Sequence, residues 1–477
     1  IEYGFWLYYG KDLEKAPPYL KIGADQGNLD LIFYYARCQG CIKNYDECYK
    51  YYKMGADKGD VDSIFYVGFC YLRGYGVEKN SEKAVQIFKS LCEPKYNHIQ
   101  AMFYYGVMLS KGDECKKDLK ESARLYKISA DEGLSAESAS NYSIKAYNGE
   151  GIDIDFDAAK YYLKMAADLE LENAMIRIGR FYLLGILFEQ NKKEAAKYFK
   201  KAADIGNETA SELYGKMCYI GEGIETNKKE AFKYFKIGAE KGNKECMKFY
   251  TQMLIDGEEV EIDKKEVSKY YKILADDGDV DYIGKYAVML SEGDGIDQDK
   301  KEAVKYFKLA ADKGDEISMY IYAVMLQSGD GVDKNSKEAV KYFKLAANKG
   351  VDDACAKLAA ALYLGDGVDG NKEEAFRFFK IAADNGHVKS MSVVGSLLKS
   401  GDGIQMNKSE AARYFKLAAD NGDAASMFEY AEMLHNGDGI QMDRNEAIRY
   451  YRMASEHGIN EANTTKRDLT NYINVSF

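Results

Sequence analysis

The stretch "GDGVDKNSKEAVKYFKLAANKG" occupies residues 329–350 and returns as "GDGIDQDKKEAVKYFKLAADKG" at 293–314 and "GDGIQMNKSEAARYFKLAADNG" at 401–422. Its closing glycine falls at Gly206, Gly242, Gly278, Gly314, Gly350, Gly386, Gly422 and Gly458, each 36 residues after the last. Upstream the phase is looser, at Gly27, Gly59 and Gly133, with Tyr96 and Glu170 standing where glycines are due. A fixed period of this length marks a repeat architecture, in which each unit is one supersecondary element unable to bury its apolar face alone. Thirteen phrase endings enclose twelve repeats over residues 28–458, expected to form one continuous solenoid. Residues 1–27 read as a partial N-terminal repeat and 459–477 as a polar C-terminal capping segment.

Composition supports helices punctuated by glycine turns. The 477 residues include three prolines and 43 glycines, and 30% of them are charged. A formal net charge of −11 argues against nucleic acid as a partner, because phosphates need a basic surface. No apolar run reaches the ~18–20 residues that a membrane span requires. The opening "IEYGFWLYYGKDLEKAPPYL" lacks the basic leader and long apolar stretch of a secretory signal. It begins at Ile1 with only about ten residues before a first turn, so the chain is expected to be a piece of a longer one. Pro17 and Pro18 suit the first turn of a helix running to Gly27.

Each 36-residue unit is predicted to contain two helices. In the second, Ala339, Tyr342, Phe343, Ala346 and Ala347 recur at helical spacing and make one apolar stripe, with Lys341 and Lys344 off it. Asn335 with Glu338 three residues on reads as a capping box, repeated as Asn191/Glu194, Asp299/Glu302, Asn407/Glu410 and others. Gly350 stands where a left-handed C-terminal cap is expected. The first helix is "DEISMYIYAVMLQS", residues 315–328, ending at Gly329. One of its columns is small in every unit, from Gly68, Gly106 and Ser143 through Gly179, Gly215 and Thr251 to Ala323, Gly395 and Ala431. Such a column predicts a close helix–helix contact, with Tyr322, Met325 and Leu326 filling the core around it.

This pattern resembles the Sel-1-like repeat, a relative of the tetratricopeptide repeat. Members of that family read A-x-x-x-L-G-x-x-Y-x-x-G-x-G-V followed by A-x-x-W/Y-x-x-A-A-x-x-G. The matching residues here are Tyr322, Ala323, Gly329, Gly331, Val332, Ala339, Tyr342, Ala346, Ala347 and Gly350. The frequent tryptophan is tyrosine or phenylalanine, and the second loop glycine is Glu114, Leu187 or Glu259 in three units. The resemblance implies an all-α fold, a right-handed superhelical solenoid of helix pairs, used as a non-enzymatic protein-binding adaptor.

Signals of other chemistry are weak. The acidic loop "DGIDQDKKE" at 294–302 lacks the ligand spacing of a calcium loop and is explained by turn and cap chemistry. Ser396-Leu397-Leu398-Lys399 matches S-x-x-K, but neither S-D-N nor K-T-G accompanies it. Cys38, Cys41 and Cys48 could supply three zinc ligands, yet no fourth completes the set. The nine cysteines therefore read as reduced thiols, and no metal or other cofactor is expected. This favours a cytoplasmic setting, with the secretory-pathway lumen as the alternative, since Asn207 and Asn463 lie in glycosylation sequons.

Function is expected where the units differ. First helices vary at three offsets around the small column, and offsets of i, i+4 and i+7 share a face that stacking extends into a surface. Candidate partner-binding residues at these offsets are Phe65, Phe69, Phe103, Tyr147, Tyr219, Tyr320, Tyr363 and Phe428, with Glu212 and Glu432 beside them. Aromatics supply disproportionate binding energy, and the two glutamates with the net charge suggest a protein or peptide partner bearing a basic segment. The alternative is a structural subunit of a larger complex, held through edges and loops.

Overall fold

The computed structural model describes residues 15–459 except 113, 134 and 258–260. Among the described residues there are 25 α-helices and no strand, most of them 13 residues long. The chain divides into two compact units, Ile1–Tyr250 and Thr251–Phe477, each a succession of helix pairs. The pair Glu316–Ser328 and Ser336–Asn348 serves as the reference. No helix of the described residues is long and apolar enough to cross a membrane. The proposed capping segment lies outside the described residues, as do residues 1–14. The helix Pro17–Asp25 carries its prolines in the first turn, as the sequence predicts.

Local chemistry sets where each helix begins and ends. The Asn335 side chain accepts from the Glu338 N–H at 3.1 Å, so that half of the capping box forms. The other half does not. The Asn335 N–H instead donates to the Leu326 carbonyl of the preceding helix at 2.8 Å, and the same bond recurs from Asn191 to Tyr182 and from Asn407 to Leu398. Glu338 is thereby released to accept from its neighbours Asn335 and Tyr322 and to pair with Lys308 of the repeat before. At the other end Gly350 adopts φ +92°, where a side chain would be strained.

The small column is a contact, as predicted. A Cβ on Gly179 would lie 2.5 Å from the Phe199 ring, and one on Gly215 would lie 2.7 Å from Phe235. These phenylalanines, with Phe88, Phe307, Phe343, Phe379 and Phe415, are fully buried. Burying each contributes about 2–3 kcal/mol, so this file of rings carries much of the stability.

Polar ladders then fix how one repeat sits on the next. The Tyr342 hydroxyl donates to Asp312 at 2.6 Å, Tyr306 to Asp276 at 2.8 Å and Tyr450 to Asp420 at 2.6 Å. Each of these tyrosines also meets a first-helix tyrosine edge-on, as Tyr322 meets Tyr342 with centroids 4.8 Å apart. Lys300 pairs with Asp330 and Lys372 with Asp402, each thirty residues on, through side chains that stay partly exposed. Exposed ion pairs are worth about 0–1 kcal/mol, so these set register more than stability. The second loop glycine is where backbones touch. A Cβ on Gly367, at φ +75°, would lie 2.4 Å from the Ser336 carbonyl.

Two stretches break this regularity, at the places where Tyr96 and Glu170 stand in the sequence instead of glycine. The helix Ser81–Leu91 is two residues short of the common length and is followed by Pro94 and by Asn97 at φ +46°. The left-handed residue is thus Asn97 rather than Tyr96, because an extra residue shifts the turn. In the second stretch Glu170 and Leu187 take φ +61° and +63° in place of glycine. At both places successive helices pack more sparsely than at regular junctions. Phe188 is buried and stacks on Tyr182 at 4.6 Å, so core packing accounts for it.

Candidate partner-binding surface

The first helices turn one side into the core and leave the opposite side half-buried, and there the variable offsets fall. In the unit of residues 1–250, two successive first helices, Val61–Arg73 and Ile99–Lys111, bring Phe65, Phe69 and Phe103 together. They line a groove of about 490 Å³ together with Tyr66, Tyr104 and Glu137. Phe69 and Tyr104 meet edge-on at 5.6 Å, Phe103 and Tyr104 at 5.3 Å, and the Arg73 guanidinium lies 5.6 Å over Phe69. Phe65 is more covered than expected: it is 3% exposed, stacked on His98 at 4.8 Å and packed against Phe88. It forms the floor of the groove, whereas Phe69 and Phe103 are its half-exposed walls.

Tyr66 and Tyr104 were outside the three expected offsets. They sit two residues before the small column, and a helix advancing about 100° per residue places that position beside the expected ones. The signal was available, since Tyr34, Tyr66 and Tyr104 repeat as a tyrosine column.

The other candidates in this unit are spread along it. Tyr147 contacts Phe181 of the next first helix at 5.7 Å, and Tyr219 contacts Phe249 at 6.0 Å. Glu212 accepts from Lys216 at 2.6 Å and from Asn243 at 3.1 Å. Its charge is met within the chain.

In the unit of residues 251–477, Tyr320 lines a smaller groove of about 330 Å³ with Lys357, His387 and Lys389. Burial lowers the Lys357 amine and the His387 imidazole below their ordinary pKa values, with Lys389 reinforcing and Asp353 opposing both. Tyr363, expected on the open surface, is instead 9% exposed, and its hydroxyl donates to Asp402 at 2.5 Å. Asp402 also holds Lys372, so Tyr363 belongs to the inter-repeat ladder. Phe428 is half-buried against Tyr451 at 5.4 Å, and Glu432 accepts from the Tyr451 hydroxyl. Glu212 is met by a cation, whereas Glu432 is hydrogen-bonded to a neutral hydroxyl and keeps its charge.

Among the described residues no group of three or more His, Cys, Asp or Glu side chains is placed to hold a metal. Cys38 and Cys48 are buried while Cys41 is exposed, and burial raises the Cys38 thiol to about 11.

A family model described as the Sel1 repeat matches eleven segments: 32–60, 61–93, 99–134, 136–171, 173–207, 210–243, 283–315, 317–351, 352–387, 388–423 and 424–459. The helix pair Lys244–Asp256 and Lys264–Asp276 falls in the one long gap between matches. Among solved structures, a protective antigen of uropathogenic Escherichia coli strains displaying an SLR fold is similar, with a TM-score of 0.64 and 22% identity. That likeness covers 90% of this chain and 91% of the antigen and shows a shared fold. A Sel1 repeat protein from Oxalobacter formigenes is also similar, at a TM-score of 0.33 and 20% identity, over 75% of this chain and 90% of that one. No curated protein matches the sequence.

Proposed function

The chain belongs to the Sel1 repeat family, and from that premise we propose that it is an adaptor taking a protein or peptide partner on the surface of its first helices. Repeats of this family mediate protein–protein contacts and are not typically enzymatic. The observation that carries the reading is the aromatic groove of Phe69, Phe103, Tyr66 and Tyr104. Packing does not demand rings at positions 69 and 103. Equivalent positions elsewhere hold Ala356, Ala360, Ser392 and Ser396, in helices of the same length. Half-exposed aromatics on a rigid helix are the side chains that binding hot spots favour. Of the glutamates that suggested a basic partner, Glu212 is paired with Lys216 within the chain and gives that detail no support.

The test is site-specific photo-crosslinking in extract from the native source. A benzophenone side chain at position 103 should capture one recurring protein, and the same probe at the exposed second-helix position 341 should not. Replacing Phe69 and Tyr104 with alanine should abolish that capture without unfolding the unit in a thermal melt. Equal capture from 341, or capture that survives the double replacement, would overturn the reading.

A further inference from the structure

The helix Glu172–Leu184 carries an arrangement found in no other first helix described. Along its outer stripe stand Asn173, Arg177, Arg180 and Leu184, at helical spacings of four, three and four. Arg177 is half-buried, and its Nη1 atom is fully enclosed without a hydrogen-bond partner. Burial alone perturbs its ionisation, since no carboxylate acts on it. Arg180, one turn on, is exposed. No ion pair among the described residues uses either guanidinium. Other arginines of the described residues, such as Arg449 and Arg452, also make no ion pair, so what sets this pair apart is the enclosed Nη1 of Arg177. Arg177 as a whole is only half-buried, so an external anion can meet the accessible part of the guanidinium and supply the counter-charge that the enclosed Nη1 side lacks.

Apolar groups flank the pair. Leu184 and Ile220 occupy the same position in consecutive repeats and are each 64% exposed. Tyr147 and Phe181 close the other side with rings 5.7 Å apart. Lys216, the next cation along this face, is already paired with Glu212. The unmet charge is therefore confined to the two arginines.

We propose that the first-helix surface between residues 141 and 220 receives an acidic peptide segment, a carboxylate of which is held by Arg177 and Arg180 while Leu184 and Ile220 take flanking apolar side chains. The planar, fixed fork of guanidinium donors suits a carboxylate and binds it in two-pronged fashion. A nucleic acid fits poorly, because two cations within a strongly acidic chain cannot neutralise a run of phosphates. The proposal rests on the adaptor reading and gives its partner a charge opposite to the one that composition suggests.

The test uses the whole chain and three fluorescent peptides, each alternating leucine with glutamate, glutamine or lysine, followed by anisotropy. The glutamate peptide should bind at least about tenfold more tightly than the glutamine one, and the advantage should fall as salt rises. Arg177→Met with Arg180→Gln should erase that advantage. Because Nη1 has no partner to lose, Arg177→Met should leave the melting temperature unchanged or higher, which a structural arginine would not. A drop in melting temperature on Arg177→Met, or affinity indifferent to peptide charge, overturns the proposal. If charge-indifferent binding is still lost on replacing Phe69 and Tyr104, the acidic partner falls and the adaptor reading stands. Absence of any binding, or preference for a single-stranded oligonucleotide, also overturns it.

Discussion

The repeats of residues 280–456 and those of residues 61–133 follow one plan and use it differently. In the first region four second-helix tyrosines, Tyr306, Tyr342, Tyr414 and Tyr450, donate to an aspartate of the preceding repeat, with Phe378 standing at the one position between them that cannot, and lysines bridge to the next loop. Its first-helix faces carry small or polar residues such as Ala356 and Ser392, both buried. In the second region the tyrosine column is interrupted by Ile87 and Leu125, which cannot donate, and the turn at Pro94 is irregular. Its outer first-helix face is instead crowded with rings. Uniform repeats put their side chains into holding one another. Around Ile87 and Leu125 that ladder lapses, and there the outer first-helix side chains are rings.

The sharpest way to break this comparison is to attack the uniform region where its backbones touch. Gly367→Val places a side chain at φ +75° and within 2.4 Å of the Ser336 carbonyl. Left-handed strain and the clash together should cost about 2–4 kcal/mol, read as a lower denaturant midpoint at constant slope. A variant of unchanged midpoint would show that the repeats do not depend on this approach. Ala323→Leu should cost about 1–3 kcal/mol by overpacking, because Ala323 is fully enclosed in the small column. Tyr342→Phe removes the hydroxyl that donates to Asp312 and should cost about 1 kcal/mol. Substituting Leu125 by Phe, where no such bond exists, should show no comparable polar loss.

Much of this was legible in the sequence because it is local or periodic. The 36-residue phase, the caps and the small column each follow from residue type at fixed spacing, and Pro94 and Leu187 announce their own irregularities. The misreadings share another cause. The Asn335/Glu338 pattern signals a capping box, but it does not show that Lys308, thirty residues earlier, competes for the glutamate. Glu212 reads as free surface charge in the sequence, but Lys216, four residues on along the same helix, pairs with it. Tyr66 and Tyr104 lie at the position adjoining the three variable offsets, where the sequence pattern of variation does not point. Arg177 could not be singled out from sequence at all, since being unpartnered is a property of its surroundings.

The irregular region offers the reverse experiment. Leu187 holds φ +63°, a conformation natural to glycine, at the position where regular repeats have one. Leu187→Gly should stabilise the unit by relieving roughly 1 kcal/mol of left-handed strain, less whatever its half-buried side chain contributes. A clear loss of stability would mean that the leucine is held there by packing, and that the departure from the pattern is itself structural.

The smallest effect should appear in how the uniform region responds to pH. Most of its first helices start on Asp, as at Asp315 and Asp423, but Val388–Ser400 starts on His387. The His387 Nδ1 accepts from the Ser390 N–H at 3.2 Å, so that nitrogen must be unprotonated for the cap to hold. Burial lowers the imidazole below its ordinary value; Asp353 and Asp352 oppose this and Lys389 reinforces it. The folded chain therefore takes up this proton later than the unfolded chain as pH falls. The contribution to stability is complete above the unfolded value of about 6.5 and is lost as pH falls below it toward the folded value. His387→Asn keeps a side-chain acceptor that does not titrate. The melting temperatures of the two proteins should run parallel above neutrality and diverge on acidification, the histidine form falling faster. Parallel behaviour down to about pH 5.5 would show that the imidazole gains its proton without cost, and that this repeat's cap is no different from those of its neighbours.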